Sequence, residues 1–229
     1  MERNDRQSSG NAAQRERVAS ALRGFGPFGI IAILVIIFAG NPLSGILVLV
    51  WAWASHTPWR DIGYVRPTRW IASTVAGIVL GIALKFALKA VVMPLLGADP
   101  INHAYHYLVG NRAALPGILF AVIVGAGFSE ETVFRGFMFE RFRRLFGRSM
   151  MATTAIVLLT STWFAVAHYP DQGIDGVKQA AFTGLVFGSI FAVTGRLWTV
   201  MVAHAAFDLT AVAIIYLDHE SAIAHLFFK

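Results

Sequence analysis

Long apolar runs joined by short polar connections make up most of the chain, and they begin only after a polar start. Residues 1–24 hold five arginines and few large apolar side chains, so this segment cannot bury enough surface to fold alone and reads as a flexible tail. From Phe25 to Ala54 the chain is almost wholly apolar apart from Asn41-Pro42, where proline lacks an amide donor and restricts the residue before it. This run is either one kinked span or a tight pair of short ones. Further apolar runs cover roughly Trp70 to Leu96, Ala113 to Phe139, Met150 to His168, Gln179 to Thr194 and Leu197 to Leu217. About 20 apolar residues cross about 30 Å of hydrocarbon. An open sheet edge is left unsatisfied in lipid, so every run is expected to be a helix. The fold class is then all-α, a polytopic transmembrane helical bundle.

Composition agrees: 56% of the 229 residues are hydrophobic and 14% charged, which excludes an ordinary water-soluble domain. The net charge of +6 does not indicate nucleic acid, because the basic residues sit in short clusters beside apolar runs, as topology signals do. The chain has no cysteine, which excludes disulfides, a thiolate-bound metal and a cysteine nucleophile. The first apolar run lacks a small-residue cleavage site, so no cleavable signal peptide is expected.

Charge also chooses between the two readings of the first run. If Phe25 to Ala54 crosses twice, then Arg60, Arg66 and Arg69 lie on the side of the arginine-rich tail, as do Arg141, Arg143, Arg144, Arg148 and Arg196. Asp171, Asp175 and the end of the chain fall on the other side. The positive-inside rule makes the first side cytoplasmic. The expected organisation is a cytoplasmic tail at 1–24, a transmembrane domain at 25–217 with its core at about 113–217, and a short tail at 218–229. About seven membrane segments result, in a plasma (inner) membrane with the N-terminus cytoplasmic.

Three polar islands interrupt the apolar helices: Ser129-Glu130-Glu131 with Arg135, then His168, then His204 with Asp208. Each ionisable group near the bilayer centre costs about 2.5–3.5 kcal/mol, which asks for a function or a mutual network. Glu131 and Arg135 are four apart and can pair on one helix face, while Glu130 is turned about 100° away from them. His204 and Asp208 are also four apart. A carboxylate and two imidazoles from three helices can hold and deprotonate a water or bind a divalent metal. Lys85 and Lys89, four apart within an apolar run, read as snorkelling or as lining a wet cavity. His103 and His106 fall in a polar loop, outside this group.

Glu130-Glu131-x-x-x-Arg135, Phe164-x-x-x-His168 and His204-x-x-x-Asp208, in this order on successive helices, resemble the three motifs of the CPBP family of intramembrane proteases. That family is related to the CAAX prenyl endopeptidase and to bacteriocin-immunity proteins. The resemblance covers roughly Trp59 to Leu217, counting Arg60-Asp61-Ile62-Gly63, which looks like the family's loop before the core. It implies that Glu130 is the general base on a water also held by His168, and that His204 and position 208 face the developing oxyanion. Glu131, Arg135 and Phe164 would support them. The family usually has Asn at the last position, and an ionised Asp208 would repel an oxyanion. Asp208 must therefore be protonated, orient His204 or ligate a cation.

The implied activity is cleavage of a peptide bond in a membrane-associated or lipid-modified substrate, a peptide or protein lying in the bilayer. No cofactor is favoured; zinc held by Glu130, His168 and His204 is the metal-dependent alternative. Two further readings use the same residues: a non-proteolytic immunity or scaffold protein of the same fold, and a proton-coupled transporter.

Overall fold

The computed structural model describes residues 2–228, and among them there is no strand. Five helices are long and apolar enough to cross a membrane: α4 (Trp70–Leu95), α5 (Arg112–Phe146), α6 (Met150–Ala167), α7 (Tyr169–Thr194) and α8 (Leu197–Tyr216). They are preceded by α1 (Glu2–Arg23), α2 (Pro27–Phe38) and α3 (Leu43–Ala54), and followed by the short α9 (Glu220–Ala224). The apolar runs located these elements well, but α5 and α7 reach beyond them. Polar turns extend both helices, with Glu140 to Arg144 at the end of α5 and Tyr169 to Lys178 at the start of α7, where Gly173 (φ 61°) breaks the helix. Hydropathy registers only the part of a helix that lipid or core must accept.

The start of the chain departs from the expected flexible tail, since α1 is helical through Arg23 and its end is fastened to the bundle. Ala19 is fully buried, Trp51 Nε1 donates to Leu22 O at 3.1 Å, and Arg141 donates to Arg23 O at 2.8 Å. The missing stabilisation comes from tertiary contacts with α3 and α5, which composition of the segment alone does not register.

The first apolar run is two short helices rather than one kinked span. α2 and α3 have 12 residues each, about 18 Å at 1.5 Å per residue, too short for a full crossing. They form a hairpin that enters and leaves at one end of the bundle, and Asn41 at its tip reaches Glu130, about halfway along α5. The loop after α3, the end of α5 and the turn before α8 gather at that same end. Asp61 lies beside Glu140, Arg143 and Arg148, and Leu197 N donates to Gly63 O at 2.9 Å. The opposite end holds the loop from 96 to 111, the start of α7 and α9: Lys89 pairs with Glu220 at 3.1 Å, and Asp175 accepts from Asp99 N at 3.1 Å.

α4 and α8 form the most extensive helix pair, and their closeness rests on missing side chains. A Cβ at Gly81 would lie 2.2 Å from Ala203 O, and one at Gly77 would lie 2.9 Å from Thr199 O. Small residues let backbones approach where lipid supplies no hydrophobic drive between helices. This contact fixes α8 and hence His204 and Asp208. On the other flank, Gly45 of α3 sits against Ser129, where a Cβ would come within 2.7 Å of the Ser129 backbone. Gly45 N donates to Ser129 Oγ at 3.0 Å across this approach. Replacing Gly81 with leucine is expected to force α4 off α8 and abolish folding into the bundle, measurable as loss of a monodisperse, cooperatively melting species in detergent.

Candidate active site

The middle of α5 carries the site on loosened turns. Ala121–Glu130 and Thr132–Phe137 are wound with i→i+5 hydrogen bonds, a geometry that recurs where a helix must aim side chains for function. Glu130 and Glu131 leave this segment in different directions, as their adjacency requires. Glu131 turns inward and is fully buried, while Glu130 faces a cavity of about 360 Å³.

Glu131 is the hub of the buried side. Its Oε1 accepts from Arg135 Nη1 at 2.8 Å and from His204 Nδ1 at 2.7 Å, so one carboxylate oxygen ties α5 to α8. Arg135 is 1% exposed, lies over the Phe164 ring at 4.5 Å and donates to Gly184 O at 3.4 Å. Phe164 in turn meets His168 edge-on with ring centroids 4.6 Å apart, and His204 at 5.8 Å. The expected supporting residues therefore form the layer on which both histidines rest.

The cavity side brings together the remaining candidates. Glu130 Oε1 accepts from Asn41 Nδ2 at 2.9 Å. Glu130 Oε2 is buried, has no hydrogen-bond partner and lies 3.9 Å from His204 Nε2. Asp208 Oδ2 lies 3.5 Å from the same Nε2, in contact but beyond a good hydrogen bond. His168 stands at the end of α6, its Nδ1 2.7 Å from Phe164 O. That carbonyl can only accept, so Nδ1 carries a proton, and in the neutral ring Nε2 keeps its lone pair. Glu130, His168, His204 and Asp208 all line this one cavity.

Of two further residues at the cavity, Asn41 is not among those the sequence singles out, whereas Lys85 is. Asn41 had been read only as a helix breaker, yet its side chain holds Glu130 and its Oδ1 accepts from Ser129 Oγ at 2.7 Å. A lone amide between two apolar runs was the available signal. Lys85, read as snorkelling or lining a wet cavity, is buried and lines the same cavity.

Among the described residues, no three His, Asp or Glu side chains are grouped as a ligand set. His204 commits Nδ1 to Glu131, and its Nε2 is already flanked by Glu130 and Asp208.

Fold and site together define a helical membrane protein with a carboxylate–imidazole centre buried among its spans. Residues 112–210 match the family model described as type II CAAX prenyl endopeptidase Rce1-like, and through this segment the chain is similar to that family. The matched segment contains Glu130, Glu131, Arg135, Phe164, His168, His204 and Asp208. No curated protein and no solved structure matches the chain.

Proposed function

We propose that the chain is an endopeptidase that hydrolyses a peptide bond of a membrane-associated substrate with a water activated by Glu130. The carrying observation is the bare, buried Oε2 of Glu130, which faces His204 Nε2 at 3.9 Å in the wall of a cavity also lined by His168 and Asp208. A gap of that length beside a carboxylate suits a bridging water. Glu130, oriented through Asn41, takes a proton from a water that the Nε2 lone pair of His168 also holds. The hydroxide oxygen bonds to the scissile carbonyl carbon, and the carbonyl oxygen becomes an oxyanion. As the intermediate collapses, the C–N bond breaks and Glu130 returns its proton to the leaving nitrogen.

The oxyanion needs donors. His204 Nδ1–H donates a hydrogen bond to Glu131, so the ring can also donate from Nε2 only as an imidazolium, which Glu131 stabilises from behind. In this reading Asp208 is protonated, so that it offers a donor and does not repel the oxyanion. Protonated Asp208 is then a second donor, doing the work of the family's usual Asn.

Asp208→Asn tests this assignment, with turnover followed against pH. An amide donates at every pH, so the variant should keep turnover within a few-fold of wild type. It should also lack the loss of activity with rising pH that ionisation of Asp208 imposes on the wild type. Chelators should leave both enzymes unaffected. A loss of about 10- to 100-fold in Asp208→Asn, together with a chelator-sensitive wild type, would instead assign Asp208 to orienting a metal-bound histidine.

The arginine-rich end of the bundle is proposed to face the cytoplasm of a plasma (inner) membrane, with the N-terminus inside, because Arg60, Arg66, Arg69 and Arg141 to Arg148 cluster there. Single cysteines can be placed freely in a chain that has none. Cysteines at 66 and 148 should both label from the cytoplasmic side, and labelling from opposite sides would overturn the arrangement.

A further inference from the structure

Lys85 and Lys89 stand one turn apart on α4, both at most 9% exposed, yet only one of them is neutralised. Lys89 pairs with Glu220 at 3.1 Å and also donates to Pro100 O at 2.6 Å, so its role is to fasten α9 and the 96–111 loop to α4. Lys85 has no carboxylate within 4.0 Å among the described residues. Its Nζ donates to Gln179 Oε1 at 2.9 Å and lies 4.9 Å from the centre of the Phe207 ring. An ammonium carries three donors. The protein supplies one acceptor, and Phe207 contributes only the face of a ring.

The position of Lys85 gives this incomplete solvation a direction. Lys85 lines the cavity of Glu130 and a second cavity of about 320 Å³ that shares Asn102, Gln172 and Gln179 with the first. The same lining holds the Asn102, Gln172 and Gln179 amides, and the first cavity adds the Tyr105 hydroxyl, which accepts from Gln172 Nε2 at 3.4 Å. Of the carboxylates that line the second cavity, Glu220 is held by Lys89, Asp99 by His103 at 3.0 Å and Asp175 by Lys178 at 2.8 Å, and Asp171 makes no ion pair with Lys85. Asp208, the other acid near Lys85, is turned to His204. A buried cation with one neutral acceptor and no carboxylate within 4.0 Å among the described residues can take an anionic guest.

We infer that Lys85 is the centre of a carboxylate-binding subsite and that it positions the substrate by pairing with a carboxylate on it. That carboxylate is either the chain terminus or an acidic side chain beside the scissile bond. This inference rests on the hydrolytic reading of the neighbouring site. Its test is therefore made on binding, in the full-length Glu130→Gln protein, so that failure of hydrolysis and failure of recognition are separate results.

The probes are three N-dodecanoyl tetraleucine peptides: one with a free C-terminal carboxylate, one with a C-terminal amide, and an amide with Glu replacing the last Leu. Affinity is measured in detergent for the Glu130→Gln protein and for the same protein carrying Lys85→Met or Lys85→Arg. At least one anionic peptide should bind about 10- to 100-fold more tightly than the neutral amide, the range of a charge-assisted contact. Which anionic peptide gains identifies the source of the carboxylate. Lys85→Met should reduce the anionic peptides to the affinity of the amide, and Lys85→Arg should keep part of the preference. Equal affinity for all three peptides, or no measurable binding of any, would overturn the inference, as would a preference that survives Lys85→Met. Should Lys85→Met fail to fold, the acid-to-amide ratio of the Lys85 protein still decides.

Discussion

Glu130→Gln is expected to lower kcat about 10²- to 10⁴-fold while leaving the unfolding midpoint of the protein in detergent unchanged. The amide has nearly the shape of the acid, and its oxygen can still accept from Asn41 Nδ2, which holds Glu130 at 2.9 Å. It cannot take a proton from water, and proton transfer by a positioned side chain contributes an effect of this size. His168→Ala should be nearly as damaging, because it removes the second holder of the same water. The double variant should be hardly slower than the worse single one, since residues acting as a unit give non-additive losses. Near-normal cleavage by Glu130→Gln would remove Glu130 from the role of base. A lowered unfolding midpoint would mean that the acid is part of the scaffold.

Arg135→Leu should cost about 3–5 kcal/mol of stability in reversible unfolding from detergent micelles. The guanidinium is 1% exposed and bonded to Glu131 at 2.8 Å, and its removal strands a carboxylate that is itself fully buried. Breaking a buried pair from one side is costly because the remaining charge loses its compensation. Removing both charges should hurt less. The Glu131→Leu, Arg135→Leu double variant is therefore expected to be more stable than the sum of the two single losses allows. Strict additivity would mean that the two side chains do not interact as their geometry implies. The double variant should still be inactive, since His204 loses the acceptor that fixes its Nδ1 proton.

The helices and the polar residues that gather at the cavity were legible in the sequence for one physical reason: lipid penalises polar groups strongly, so each surviving one is conspicuous. The i, i+4 pairing of Glu131 with Arg135 and the opposite heading of Glu130 followed from helix geometry, and both describe the structure. The carboxylate shared between Arg135 and His204 did not follow, because it depends on how closely α5 and α8 approach. Asn41 was missed for a related reason. Its role depends on the α2–α3 hairpin carrying it to the depth of Glu130, and hydropathy reports how apolar a run is without reporting where its turn ends up. The helical α1 was missed because its stabilising partners, Trp51 and Arg141, lie far along the chain.

Hydrolysis by this site is tested most directly in native membranes, by comparing the peptide termini that appear when the wild type or Glu130→Gln is expressed at equal level in a strain lacking the native protein. If Glu130 activates water for peptide-bond cleavage, the wild type should generate a discrete set of new termini in membrane-associated proteins, and that set should be absent with Glu130→Gln. Identical termini in the two membranes would contradict a protease working through Glu130.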